Sequence, residues 1–208
     1  MSFELWIAFA LASVALLAIP GPTVMIVVSY ALGKGRSSAW ATVPGVALGD
    51  FTAMTVSLLG AGAVLAASAT IFTALKLVGA AYLVWLGIKL WRADPSPGEV
   101  SRADGAAGNR QMFWNAYVVT ALNPKSIVFF VAFVPQFIDP AAPLVIQFVI
   151  LEATFICLAA ASVLTWALFV GQIRPYFLRR STLRTAHRIG GSFLIGAGLL
   201  AAITRRAT

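Results

Sequence analysis

Cysteine, histidine and charge are all scarce in this chain. Of its 208 residues one is a cysteine, Cys157, and one a histidine, His187. A single thiol allows neither an internal disulfide nor a dithiol redox centre. One Cys with one His does not make a conventional transition-metal site, so no metal and no other cofactor is expected. Charged residues make up 11% of the chain, against roughly 25% in soluble domains. The segment Met1-Ser2-Phe3-Glu4 lacks the basic region that opens a secretory signal, and the apolar run behind it is far longer than a signal core. It reads as a retained membrane span. A hydrolase would want Ser, His and an acid at one depth, whereas His187 falls at the end of an apolar run; no enzyme is expected.

What is plentiful is apolar surface. The hydrophobic set is 60% of the residues before the 17 glycines are counted, and the mean hydropathy is +0.90. One globule of this length has no interior large enough to hide that much. The chain is therefore expected to be an all-α integral membrane protein. Its net charge of +8 comes from few positions and suits topology anchoring better than nucleic-acid binding.

A span needs about 20 mostly apolar residues. Six stretches qualify, near 5–32, 39–67, 71–91, 113–138, 144–170 and 188–204. Residues 93–111 form the one long polar connection, expected to be a flexible cytoplasmic loop between residues 1–92 and 112–208. The odd loops collect eleven Lys and Arg, among them Lys34, Arg36, Arg92, Arg110 and Arg184, while only Arg205 and Arg206 fall on the other side. Positive-inside bias then places the odd loops in the cytoplasm and both termini outside.

The chain also repeats itself. A shift of about 102 positions lays Pro22 on Pro124 and Asp50 on Glu152, and nine further residues lay Gly79 on Gly190. Three spans per half is an odd number, so the halves must have opposite orientation. Inverted repeats of this kind are a feature of secondary transporters, which bind substrate at the midplane where the halves meet.

The first span of each half contains a break: Pro20-Gly21-Pro22 and Asn123-Pro124-Lys125. Proline removes a backbone donor and clashes with the preceding turn. Gly21 or Asn123 suits an N-cap, and Pro22 or Pro124 the first helical position after it. Each restarted half-helix would offer N–H groups and its positive end near mid-membrane, where a carboxylate is attracted. Ordinary proline kinks are the alternative reading.

Two acids lie inside spans. Asp50 follows Gly45 and Gly49, and Glu152 sits in span five. A central charge costs about 2.5–3.5 kcal/mol on the insertion scale, so each needs a partner or a wet cavity. Asp50 and Glu152 are candidate proton carriers that also meet an ammonium group. Lys125 would hold a substrate carboxylate, or else neutralise Asp50 in a static pair. Glu152 could instead be hydrated near the outer interface. Gly45, Gly49, Gly79, Gly190 and Gly191 suit close helix packing, and a small-residue face would suit a homo-oligomer.

At these residues the sequence resembles the LysE/RhtB family of bacterial amino-acid exporters over nearly its whole length. The resemblance rests on Ile19-Pro20-Gly21-Pro22, on Pro44 to Asp50, on Lys76 to Gly87, and on Leu122-Asn123-Pro124-Lys125. It implies a six-span inner-membrane carrier exporting amino acids or close derivatives against protons. Substrate-binding candidates are Pro20, Gly21, Pro22, Asp50, Asn123, Pro124 and Lys125, with Asp50 and Glu152 for proton coupling. The partners expected are a small-molecule substrate, protons and lipid. An intramembrane scaffold or a channel with a static charge network is the competing reading.

Overall fold

The computed structural model describes residues 1–93, 107–139, 142–177 and 180–203. Eight helices follow one another: α1 (Phe3–Ala18), α2 (Pro22–Lys34), α3 (Ala39–Ala67), α4 (Ala69–Arg92), α5 (Asn109–Ala121), α6 (Pro124–Ala132), α7 (Leu144–Phe177) and α8 (Arg180–Ile203). Short 3-10 turns at Arg36–Ser38 and Val134–Phe137 complete the order, and no strand occurs among the described residues. The expected polar loop at 93–111 falls mostly outside the described residues.

The same sequence of elements occurs twice: a bent pair, then two long helices. The α1–α2 pair bends by 54° and the α5–α6 pair by 44°. Both bends have a local chemical cause. The proline at the start of α2 and of α6 cannot donate to the preceding turn, so each helix stops and restarts. By length and composition, Arg36–Gly60, which joins the first 3-10 turn to most of α3, and Leu144–Phe169 of α7 suffice to cross a bilayer, and each bent pair suffices as one broken span. That makes four candidate spans among the described residues, against six expected. The other two expected spans correspond to α4 and α8, of which α8 supplies the shorter apolar stretch His187–Ile203.

The outer surface differs from that of a soluble protein. Large apolar side chains such as Val56, Leu59, Val145 and Ile189 lie exposed on the outside, while Asp50, Thr120, Asn123 and Ser126 are buried. That is the pattern of a bundle solvated by hydrocarbon, which puts no penalty on outward leucine and a large one on outward polar groups. Glycines set the closest helix contacts. A Cβ on Gly45 would meet Phe113 O at 2.5 Å, and one on Gly49 would meet Thr120 Cβ at 2.7 Å, so α3 lies directly against α5. Gly87 and Gly191 do the same for α4 and α8, where each would strike the other's carbonyl. This is the small-residue packing expected of membrane helices.

Two apolar clusters result. One gathers Phe9, Leu16, Phe129, Phe130, Phe155 and Leu194 among the residues around α1, α6, α7 and α8. The other joins α2, α3, α5 and α7 through Val27, Val46, Ala116 and Val163. Polar residues separate them at the two breaks.

Candidate functional site

At the first break α1 ends with Ile19 in extended conformation, Pro20 is buried, and Gly21 is the N-cap of α2, which begins at Pro22. No side chain caps that end, so the first N–H groups of α2 remain available to a ligand. At the second break Asn123 is the N-cap of α6, its side chain accepting from Lys125 N at 3.1 Å, and Pro124 is the first helical residue.

The breaks hold each other. Thr23, one residue into α2, accepts through Oγ1 from Thr120 Oγ1 and from Asn123 Nδ2, both at 3.2 Å. Lys125 reaches the other way. Its Nζ donates to the carbonyls of Ile19 at 2.9 Å and Leu16 at 3.1 Å, at the unwound end of α1. Leu16 O also accepts from Ile19 N at 3.3 Å, and Ile19 O belongs to the C-cap itself, beyond the last helical residue, so neither carbonyl has the usual i+4 helical donor. In hydrocarbon they must be satisfied from elsewhere, and an ammonium does so with charge-assisted bonds.

Asp50 completes the site from α3. It is 3% exposed, and with Gly21, Thr23, Asn123, Lys125, Ser126 and Ser162 it lines a single cavity of about 20 Å³. Apolar walls come from both clusters, through Leu16 and Ala159 on one side and Val24, Val46 and Val163 on the other. No direct ion pair joins Asp50 to Lys125 among the described residues; the ammonium bonds to carbonyls while the carboxylate shares its cavity. An acid and an amine therefore face one cavity, flanked by a helix N-terminus and a helix C-terminus, so that groups of both charge signs line it.

Of the residues singled out in the sequence, Gly21, Asp50, Asn123 and Lys125 line this cavity, and Pro20, Pro22 and Pro124 shape the breaks beside it. Glu152 does not line it. Its Oε1 instead accepts from Thr55 Oγ1 at 2.6 Å, tying α7 to α3. Sequence reasoning missed Thr23, Thr120, Ser126 and Ser162. A signal existed for two of them, since Thr23 follows Pro22 directly and Ser126 stands two residues beyond Pro124. Among the described residues no group of His, Cys, Asp and Glu is arranged to hold a metal.

Further hydrogen bonds tie the helix ends together on either side of the breaks. At the far end of α2, Lys34 Nζ donates to Ala107 O at 3.1 Å and to Asn109 Oδ1 at 3.0 Å, and Asn115 Nδ2 donates to Tyr30 OH at 2.6 Å. At the opposite end of the broken pair, near the start of α1, Trp6 Nε1 donates to Thr154 Oγ1 of α7 at 3.0 Å.

The family model described as LysE type translocator matches residues 14–205. The chain is 32% identical over 207 residues to a homoserine/homoserine lactone efflux protein of Salmonella typhimurium, covering 100% of both chains. An uncharacterized membrane protein of Vibrio cholerae is 31% identical, over 99% of this chain and 100% of its own length. A leucine efflux protein of Enterobacter sp. is 27% identical over 77% of this chain and 76% of its own. No solved structure matches the chain significantly.

Proposed function

The chain belongs to the LysE family of translocators and is a multi-pass membrane protein, and from that premise we propose that it exports amino acids or close derivatives across the bacterial inner membrane. The observation that carries this reading is the convergence of Asp50, Lys125 and both helix breaks on one cavity. In the proposed mechanism the substrate carboxylate docks at the N-terminal ends of α2 and α6 with Lys125, and its ammonium group faces Asp50. The breaks supply the dipoles and N–H groups that replace water around the carboxylate.

Six spans, arranged as two oppositely oriented halves with a cytoplasmic loop between them and both termini in the periplasm, fit this reading. The repeated order of a bent pair and two long helices supports it. A cavity of about 20 Å³ holds about one water. Admitting an amino acid therefore requires the helices around it to separate. The α2–α5 contacts through Lys34, Tyr30 and Asn115 form the cytoplasmic closure, and Trp6 with Thr154 belongs to the periplasmic one. Alternating access is the opening of one closure while the other stays shut. A proton entering from outside neutralises Asp50 and releases the ammonium, and Glu152 at its Thr55 contact is a second proton carrier.

The efflux relatives named for homoserine, its lactone and leucine make those compounds the first to try. In proteoliposomes containing the full chain, labelled leucine or homoserine should leave in a saturable manner that collapses when the pH gradient is dissipated. Flux that rises linearly with concentration and ignores the gradient would identify a channel. No flux of any amino acid above empty liposomes would refute the proposal.

A further inference from the structure

Lys125 does something in this structure that a carboxylate-binding residue need not do: it places a primary ammonium against two backbone carbonyls. Leu16 O and Ile19 O lie 3.1 and 2.9 Å from Nζ, and Gly21 leaves room for the ammonium, since a Cβ there would come within 3.3 Å of Nζ. Asp50 faces the same cavity. Two carbonyls and a nearby carboxylate are the acceptors a primary ammonium needs in a dry site. The amino group of a zwitterion has the same chemistry as the group already held.

We propose that the unwound C-terminal end of α1, through Leu16 O and Ile19 O beside Asp50, is the ammonium subsite of the transporter, and that Lys125 occupies it as an internal stand-in until substrate displaces it. This rests on the amino-acid export reading and specifies how that substrate is recognised. The exchange follows from charge. An arriving carboxylate draws Lys125 off the carbonyls, and the vacated cradle takes the substrate's own ammonium. The four-carbon stem of Lys125 lets Nζ swing without backbone motion. Neither the carbonyls nor the ammonium is left unpaired at either end of the exchange, which matters because an unpaired charge in hydrocarbon is expensive. A compound lacking either charged group completes only half of it.

The test uses the purified full chain in detergent and reads thermal stability, not transport, so it can fail while amino-acid export stands and can hold if export fails. Wild type and K125A are melted in rising ethylammonium, with tetramethylammonium and sodium as controls. A cradle filled by Lys125 nine-tenths of the time weakens an outside ammonium about tenfold. Ethylammonium should therefore stabilise K125A with a midpoint about tenfold lower than for wild type, while tetramethylammonium, which has no N–H, does nothing. Equal midpoints in the two proteins would overturn the proposal, as would stabilisation of K125A by tetramethylammonium or sodium to the same extent. If K125A cannot be recovered, K125S leaves the cradle open and is read in the same way.

Discussion

Gly49 is where the packing of the bundle and the geometry of the site meet. It lies next to Asp50, and its α-carbon faces α5 so closely that a Cβ would sit 2.7 Å from Thr120 Cβ and 2.8 Å from Tyr117 O. The second neighbour is backbone and cannot rotate aside, so Gly49→Ala must push α3 away from α5. Overpacking of this kind costs about 1–3 kcal/mol. Alanine also gains about 1 kcal/mol over glycine inside a helix, which partly offsets the clash. Gly62 on the same helix provides the correction, because a Cβ there meets nothing within 4 Å. Gly62→Ala receives the helix gain without the clash, so the difference between the two variants isolates the packing cost. For a chain of this size a kilocalorie moves the melting temperature by about 2–4 °C, which separates the variants by about 2–12 °C. Melting of both purified proteins in one detergent is the assay. Thr120 donates to Thr23, so Gly49→Ala should also lower transport more than its stability loss accounts for. A Gly49→Ala protein that melts with or above Gly62→Ala would refute the α3–α5 contact from which this reasoning starts.

Three further predictions follow from hydrogen bonds in and near the site. Thr23→Val keeps the shape but removes the acceptor shared by Thr120 and Asn123, and should cost about 1–3 kcal/mol of stability in a melting experiment. Asn123→Ala loses the cap of α6 as well, worth about 1 kcal/mol, whereas Asn123→Ser keeps a capping oxygen without adding a charge and should melt between Asn123→Ala and wild type. Glu152→Gln retains an acceptor for Thr55, so its melting should change by less than about 0.5 kcal/mol. Its gradient-driven efflux should nevertheless fall, and full efflux would remove Glu152 from proton coupling.

The breaks were legible in the sequence because their cause is local. Proline cannot donate wherever it sits, so Pro22 and Pro124 announce a restart, with Gly21 and Asn123 before them as caps. The glycines at 45 and 49 were legible for a similar reason, as spacing of four residues puts them on one helix face. That Asp50 and Lys125 would line one cavity followed from the cost of leaving either charge alone in hydrocarbon, but not that they would do so without a direct ion pair. What lay beyond reach was anything decided by helix rotation. Glu152 matches Asp50 in the repeat, yet it bonds to Thr55 and does not line the cavity, because one residue of register turns a side chain by about 100°. Hydroxyls are ambiguous for another reason. Thr52 and Thr165 bond the carbonyl four residues back, whereas Thr23 and Thr120 bond across the breaks. Composition does not distinguish the two uses. Nor could any sequence signal reveal that the partners of Lys125 are main-chain carbonyls.

Efflux of a labelled amino acid from proteoliposomes containing Asp50→Asn, beside wild type at equal protein, tests most directly whether the cavity between the breaks is the transport site. Asparagine keeps the volume and removes the charge that faces the ammonium, an interaction worth about 1.5–3 kcal/mol, so efflux at subsaturating substrate should drop about ten- to a hundredfold. Wild-type efflux from a folded Asp50→Asn protein would contradict it.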